Sequence, residues 1–311
     1  ESEVEAGGKK IVAGLLKRGL AIKDQGALLV DLTKYNLDKF LILKSDGASL
    51  YATKDLELAR LKFEKFKVDR SIVITGYEQK FYFQQLFKTL ELMGFKQASK
   101  CYHLPYGLVN VGGKKMSSRA GDVVIYTELF DAAYKEVVDK VKQRDSKLSK
   151  KSLEETATRI AIAALKYGML KQSPEKTIEF DWERALEFEG DTGPYLQYAL
   201  VRARKILAKA GKLPNKANFS LLQKPQEVEL VKKISNFPEI VEKAGGEYAP
   251  NLVANYAFEL ANVFSSFYEA CPVIAAESEG LRNVRLKLVQ AFAQTLKNTL
   301  FLLGIDEVEV M

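Results

Sequence analysis

An α/β region followed by an all-α region is the fold class this sequence predicts, and three observations predict it. Over the first 127 or so residues, short apolar runs bounded by turn residues alternate with amphipathic stretches. From about residue 128 onward the apolar periodicity is helical, and no strand pattern stands out. Just before the change lies a glycine-bounded segment, residues 112–121, reading Gly-Gly-Lys-Lys-Met-Ser-Ser-Arg-Ala-Gly. Its glycines free the backbone. Its cations and hydroxyls suit the oxygens of a phosphate. A plain solvated hairpin would have a similar composition.

The elements follow in order. Residues 8–20 read as an amphipathic helix, with Ile11, Val12, Leu15 and Leu16 on one face and Lys9, Lys10, Lys17 and Arg18 elsewhere. Runs 27–32 and 40–43 have the length and composition of strands. Asp46-Gly47 marks a turn, and a helix is expected over 53–66. Ser-Ile-Val-Ile-Thr at 71–75 is the clearest candidate for a buried strand; it stops at Gly76, and a helix over 80–93 stops at Gly94. Strands alternating with helices indicate a parallel sheet, whose ligands sit beyond the carboxyl ends of the strands. Residues 76–79 are therefore a candidate ligand position. After 122–126, helices are expected at 128–142, 152–171, 194–210, 226–243, 251–270 and 281–303. The charged stretch 142–151 is a connector, and 213–224 is a loop between prolines.

The helix over 194–210 carries two stripes. Leu196, Ala199, Leu200, Ala203, Leu207 and Ala210 form a core face. Tyr195, Tyr198, Arg202, Lys205 and Lys209 form a second, aromatic and cationic one. Such a surface stacks on bases and holds phosphates; the same tyrosines would also suit a core edge with the cations solvated. The last helix places Leu288, Val289, Phe292, Leu296, Leu300 and Leu303 on one face, a bundle-core pattern.

Charge narrows the partners. With 47 Lys and Arg against 40 Asp and Glu, the net charge of +7 favours an acidic partner, of which nucleic acid is the commonest large one. The two cysteines, Cys101 and Cys271, form neither a disulfide framework nor a zinc pattern, which fits a reducing, cytoplasmic setting. No run approaches the ~20 apolar residues of a membrane span, and no secretory leader is expected. The single histidine, His103, excludes any site that needs two.

Set side by side, several segments resemble the arginyl-tRNA synthetases, a family of class I aminoacyl-tRNA synthetases. Lys-Ser-Asp-Gly at 44–47 with Leu-Tyr-Ala-Thr-Lys-Asp at 50–55 resembles the family's arginine-site segment. Lys-Met-Ser-Ser-Arg at 115–119 is similar to the class I Lys-Met-Ser-Lys-Ser loop. Residues 188–199, Phe-Glu-Gly-Asp-Thr-Gly-Pro-Tyr-Leu-Gln-Tyr-Ala, are similar to the opening of the family's anticodon-binding domain. Leu-Gly-Ile at 303–305, close to Met311, resembles the family's carboxyl end.

The resemblance implies the C-terminal half of a Rossmann-type catalytic domain (1–135), a helical connector (136–190) and an α-helical anticodon-binding bundle (191–311). It implies ATP-dependent activation of L-arginine, with magnesium accompanying ATP, and transfer to the terminal adenosine of tRNA(Arg). Tyr51, Asp55 and Gln79 match positions that recognise arginine; a carboxylate takes a guanidinium through two parallel hydrogen bonds, and a tyrosine ring packs against the cation. Lys115, Ser117 and Arg119 are the implied catalytic contacts to phosphate, with Lys114, Met116 and Ser118 completing the loop. The loop departs from the class pattern, since Ser118 stands where the second lysine falls and Arg119 replaces the final serine. Which cation takes over is open. The resemblance places Tyr195 or Tyr198, Tyr268 and Met311 near anticodon bases, and the stripe adds Arg202 and Lys205 on phosphate.

Class I enzymes also use a His-Ile-Gly-His-type motif, which a chain with one histidine cannot contain. A C-terminal fragment, catalytically incomplete alone, is therefore expected. The parent would be a monomer, while an exposed sheet edge would favour self-association of the fragment. A non-catalytic tRNA-binding module is the rival reading. An unrelated nucleotidyltransferase sharing the phosphate loop is a third, opposed by the Tyr51, Asp55 and Gln79 set.

Overall fold

The computed structural model describes residues 2–111, 114–115, 125–144 and 148–309. It divides into two compact units, Glu1–Gly107 and Leu108–Met311.

The first unit runs α1 (Ser2–Lys17), β1 (Ile22–Asp24), β2 (Ala27–Asp31), β3 (Lys39–Leu43), α2 (Tyr51–Phe66), β4 (Ser71–Gly76), α3 (Lys80–Leu92) and β5 (Cys101–Tyr106). Helix α1 starts well before the expected residue 8, carrying Gly7 and Gly8 inside it. Glycine disfavours a helix interior, but here it allows a close crossing: a Cβ on Gly8 would stand 2.1 Å from the Thr53 carbonyl oxygen of α2. Tertiary contact overrides propensity at this point. The core joins Val12, Leu15, Val30, Ile42, Leu56 and Leu90. At the start of α2, the Thr53 hydroxyl accepts from Leu50 N–H at 3.0 Å and donates to the Ile42 carbonyl, tying the helix to β3.

The sheet expectation holds only in part. Strands β1, β2 and β3 form an antiparallel meander. In this unit the parallel pattern is realised, among the described residues, by β4, α3 and β5, in register from Ser71↔Cys101 to Gly76↔Tyr106. The strand at 71–75, expected to be buried, is half open: Val73 packs on the core, while Ile72 is 39% and Ile74 62% exposed. Among the described residues β4 pairs with β5 alone, and one face of the pair lacks a covering layer. A continuous apolar run signals burial on both faces, and here one face is supplied.

The second unit opens with β6 (Val109–Val111) and β7 (Lys114–Lys115), then α4 (Tyr126–Arg144), α5 (Lys150–Leu170), β8 (Ile178–Phe180), α6 (Trp182–Ala185), α7 (Gly193–Ala210), α8 (Pro225–Ser235), α9 (Phe237–Glu247), α10 (Pro250–Ala270) and α11 (Glu279–Leu302). Strand β8 corrects the expectation of an all-helical region after residue 128. It pairs in parallel with β6, Val109↔Ile178 to Val111↔Phe180, while β7 pairs with β6 antiparallel. The single helix expected over 226–243 is two, broken at Asn236 because Pro238 cannot donate to the preceding turn. Helices α7, α10 and α11 share the main core, where Phe264 stacks on Phe292 with centroids 3.8 Å apart. Arg285, 1% exposed, is held by Glu227 Oε1 at 2.7 Å, Glu277 Oε2 at 3.0 Å and the Pro272 carbonyl at 2.8 Å.

Candidate functional site

Tyr51 and Asp55 lie one turn apart on α2. Because α2 begins at Tyr51, Asp55 falls in its second turn instead of opening the helix. Gln79 follows the carboxyl end of β4 in a short 3-10 turn and sits at the N-cap of α3. Tyr82, one turn further on, donates its hydroxyl to Asp55 Oδ2 at 2.5 Å. That bond ties the first turn of α3 to α2 at Asp55, while Gln79 follows the carboxyl end of β4, where parallel sheets hold ligands. Tyr51, 74% exposed, and Gln79 remain open to solvent, while Asp55 is half-buried.

Electrostatics sharpen this group. Burial raises the Asp55 carboxyl above its ordinary value, against the pull of the Tyr82 hydroxyl and the Lys62 charge. Burial, then the bond to Asp55, drives the Tyr82 phenol well above tyrosine's usual value, so it is a neutral donor at pH 7. A half-buried carboxylate is suited to a planar cation, which it takes through two parallel hydrogen bonds. Tyr82 escaped the sequence reading; its one signal is the helical offset of three from Gln79. His103 has a structural place, stacked on Phe83 at 4.3 Å with Nε2 2.9 Å from Thr75 Oγ1.

In the second unit, the root of the glycine loop is described. The backbones of Lys114 and Lys115 pair with Val111 and Asn110 in β6. Met116, Ser117, Ser118 and Arg119 lie outside the described residues, as does Met311.

The segment 188–199 builds the start of α7. Thr192 caps it, accepting from Tyr195 N–H at 3.2 Å and donating to the Glu187 carbonyl at 2.6 Å. Asp191 accepts from Tyr167 OH at 2.5 Å and pairs with Lys171 at 3.1 Å. Gly193 lies so close to α5 that a Cβ would come within 2.3 Å of the Ala163 carbonyl oxygen.

The aromatic-cationic stripe separates into two groups. The Arg202 guanidinium carbon lies 4.7 Å from the Tyr198 ring centroid and 5.2 Å from that of Tyr268, and Nη2 donates to Tyr198 OH at 3.0 Å. Tyr198, Arg202, Lys205, Lys209 and Tyr268 line a hollow of about 670 Å³. Tyr195 turns elsewhere: its hydroxyl meets Asn262 Oδ1 at 3.0 Å and Ser265 Oγ at 3.2 Å, clamping α7 to α10.

A family model described as "tRNA synthetases class I (R), catalytic domain" matches residues 1–182, more than half of the chain. The chain belongs to the arginyl-tRNA synthetase family. A second model, the DALR anticodon binding domain, matches residues 196–311. The fold is thus a class I synthetase catalytic region followed by a helical DALR domain. The arginine–tRNA ligase of Clostridium perfringens is 39% identical over 304 residues, 97% of this chain and 54% of that protein. That of Clostridium botulinum is 38% identical over 301 residues, 97% and 53% of the two chains. The arginyl-tRNA synthetase structure of Thermus thermophilus aligns with a TM-score of 0.88 at 30% identity, covering 99% of this chain and 59% of that one. The chain spans about half the length of the curated relatives it matches. No described helix is long and apolar enough to cross a membrane.

Proposed function

We propose that this chain carries the arginine-binding and tRNA-binding parts of an arginine–tRNA ligase and is catalytically incomplete alone. The observation that supports the arginine assignment is the Asp55–Tyr82 bond, which ties α2, carrying Tyr51 and Asp55, to the helix α3 that Gln79 precedes. In this reading Asp55 takes the guanidinium, the Tyr51 ring packs on it, and the Gln79 amide adds polar contacts. The arginine carboxylate attacks the α-phosphorus of ATP, forming arginyl-adenylate as the bond to pyrophosphate breaks. The ribose hydroxyl of the tRNA's terminal adenosine then attacks the arginyl carbonyl, releasing AMP. The chain's residues act by orientation and by charge, with Lys114, Lys115 and Arg119 as cations for the oxygens of the triphosphate that magnesium accompanies, and Ser117, Ser118 and Met116 as the rest of the loop. The Arg202 cluster with Lys205 serves anticodon bases and phosphates; Tyr195 supports it by holding α7 to α10, and Met311 is proposed for the same anticodon contact.

Incompleteness rests on the single histidine, which cannot furnish a His-Ile-Gly-His-type motif. Arginine-dependent pyrophosphate exchange by the isolated chain is the test: none above blank is expected, and measurable exchange overturns incompleteness. Calorimetry with L-arginine tests the site, binding in the wild type and loss in Asp55→Asn being expected. tRNA binding without arginine binding would leave a tRNA-binding module. The edge of β4 that has no strand partner among the described residues also favours self-association of the isolated chain, measurable by sedimentation at rising concentration. A chain that stays monomeric would remove that part.

A further inference from the structure

Resting on the arginine assignment of Asp55, we infer that Tyr82 is a positioning residue for guanidinium recognition, fixing the rotation of the Asp55 carboxylate so that arginine is preferred to lysine. The geometry begins with the 2.5 Å bond from the Tyr82 hydroxyl to Oδ2. The phenol that makes it is itself held. Its ring meets Phe40 edge-on at 5.6 Å and Phe83 edge-on at 5.1 Å. Phe83, 6% exposed, stacks on His103 at 4.3 Å, and His103 is bonded to Thr75 of β4 at 2.9 Å. The hydroxyl is thus referenced through packed rings to the sheet that frames the site.

The consequence is chemical. An ionised carboxylate has two oxygens with about four acceptor directions. Tyr82 uses one, on Oδ2, and leaves the rest to a ligand. A guanidinium is flat, and its two parallel hydrogen bonds form only when its plane and the carboxylate plane coincide. An ammonium is a point charge with rotatable donors and is nearly indifferent to that plane. The carboxyl torsion of aspartate is broad when nothing holds it. Holding it therefore favours the planar cation. Burial of the Tyr82 phenol keeps its proton in place as donor across the neutral range.

The test is Tyr82→Phe in the full chain, with L-arginine and L-lysine titrated separately by NMR. Arginine binding is expected to weaken about tenfold, a charge-assisted hydrogen bond being at stake, with lysine binding changed less than about twofold. The ratio of the two affinities collapses accordingly. Replacing Tyr82 by 4-aminophenylalanine, which returns a donor to the same place, restores the arginine preference. Equal weakening of both ligands, or unchanged arginine binding, overturns the inference. If Tyr82→Phe loses its native NMR spectrum, the 4-aminophenylalanine variant decides: wild-type preference supports the inference and equal affinities overturn it. The underlying assignment fails differently. Wild-type chain that does not bind arginine, or binds it undiminished in Asp55→Asn, overturns the assignment together with the inference. Binding lost in Asp55→Asn but intact in Tyr82→Phe overturns the inference alone.

Discussion

Adding one methyl group at Gly193 and one at Gly245 is the same covalent change with opposite expected effects. A Cβ on Gly193 would lie 2.3 Å from the Ala163 carbonyl oxygen, 2.6 Å from its carbon and 3.1 Å from Tyr167 Cβ. Carbon contacts settle near 3.5–4.0 Å, so α7 and α5 must part by roughly 1 Å. The obstacle is mostly backbone and cannot swing aside. Overpacking a close-packed site costs about 1–3 kcal/mol, and a clash with main chain belongs at the upper end, about 3 kcal/mol. The same shift pulls on Asp191 and its bonds to Tyr167 and Lys171. A Cβ on Gly245, in α9, meets nothing within 4 Å. There Gly→Ala removes unfolded-state freedom and stabilises by about 0.5–1 kcal/mol. The two variants should therefore differ by about 4 kcal/mol. Guanidinium denaturation followed by fluorescence reads this directly, because the chain's single tryptophan, Trp182, lies in the second unit with both glycines. Gly193→Ala within about 0.5 kcal/mol of wild type would refute the close approach of α5 and α7.

Glu227→Ala should cost about 3 kcal/mol by removing the buried partner of Arg285, both side chains being 1% exposed, while Glu277 and the Pro272 carbonyl still hold the guanidinium; Glu227→Gln, which keeps an acceptor, should cost less in the same denaturation experiment. For Asp55, a raised pKa means that the folded state resists ionisation, so its contribution to stability is present at acid pH and lost as pH rises through the folded-state value. Asp55→Asn should thus melt higher than wild type at pH 7 and converge with it below the ordinary aspartate value, as seen by calorimetry; arginine affinity of the wild type should fall with pH through the raised value. Lys205→Ala should weaken tRNA binding and flatten its logarithmic salt dependence by roughly 0.7–0.9; an unchanged slope in filter binding would remove Lys205 from the contact surface.

Much of this was legible in residue order, because it depends on neighbours. Helical periodicity repeats within a few residues, and α7 and α11 emerged with their core faces as read. Caps are local too: the Thr192-Gly193-Pro194 start of α7 is written in three adjacent residues. The positions proposed for arginine and the family came from motifs of the same kind. Other features depend on partners remote in sequence. A three-residue strand such as β8 is too short to show its period, and it exists because β6 lies beside it. The apolar run of β4 cannot announce that one of its faces is uncovered. Tyr195 and Tyr198 look alike on one stripe, yet α10 takes the first and Arg202 the second. Tyr82 is an unremarkable aromatic residue until α3 folds against α2 and its hydroxyl reaches Asp55. Period and cap chemistry act within a turn or two of chain, whereas burial and pairing arise only when distant segments meet.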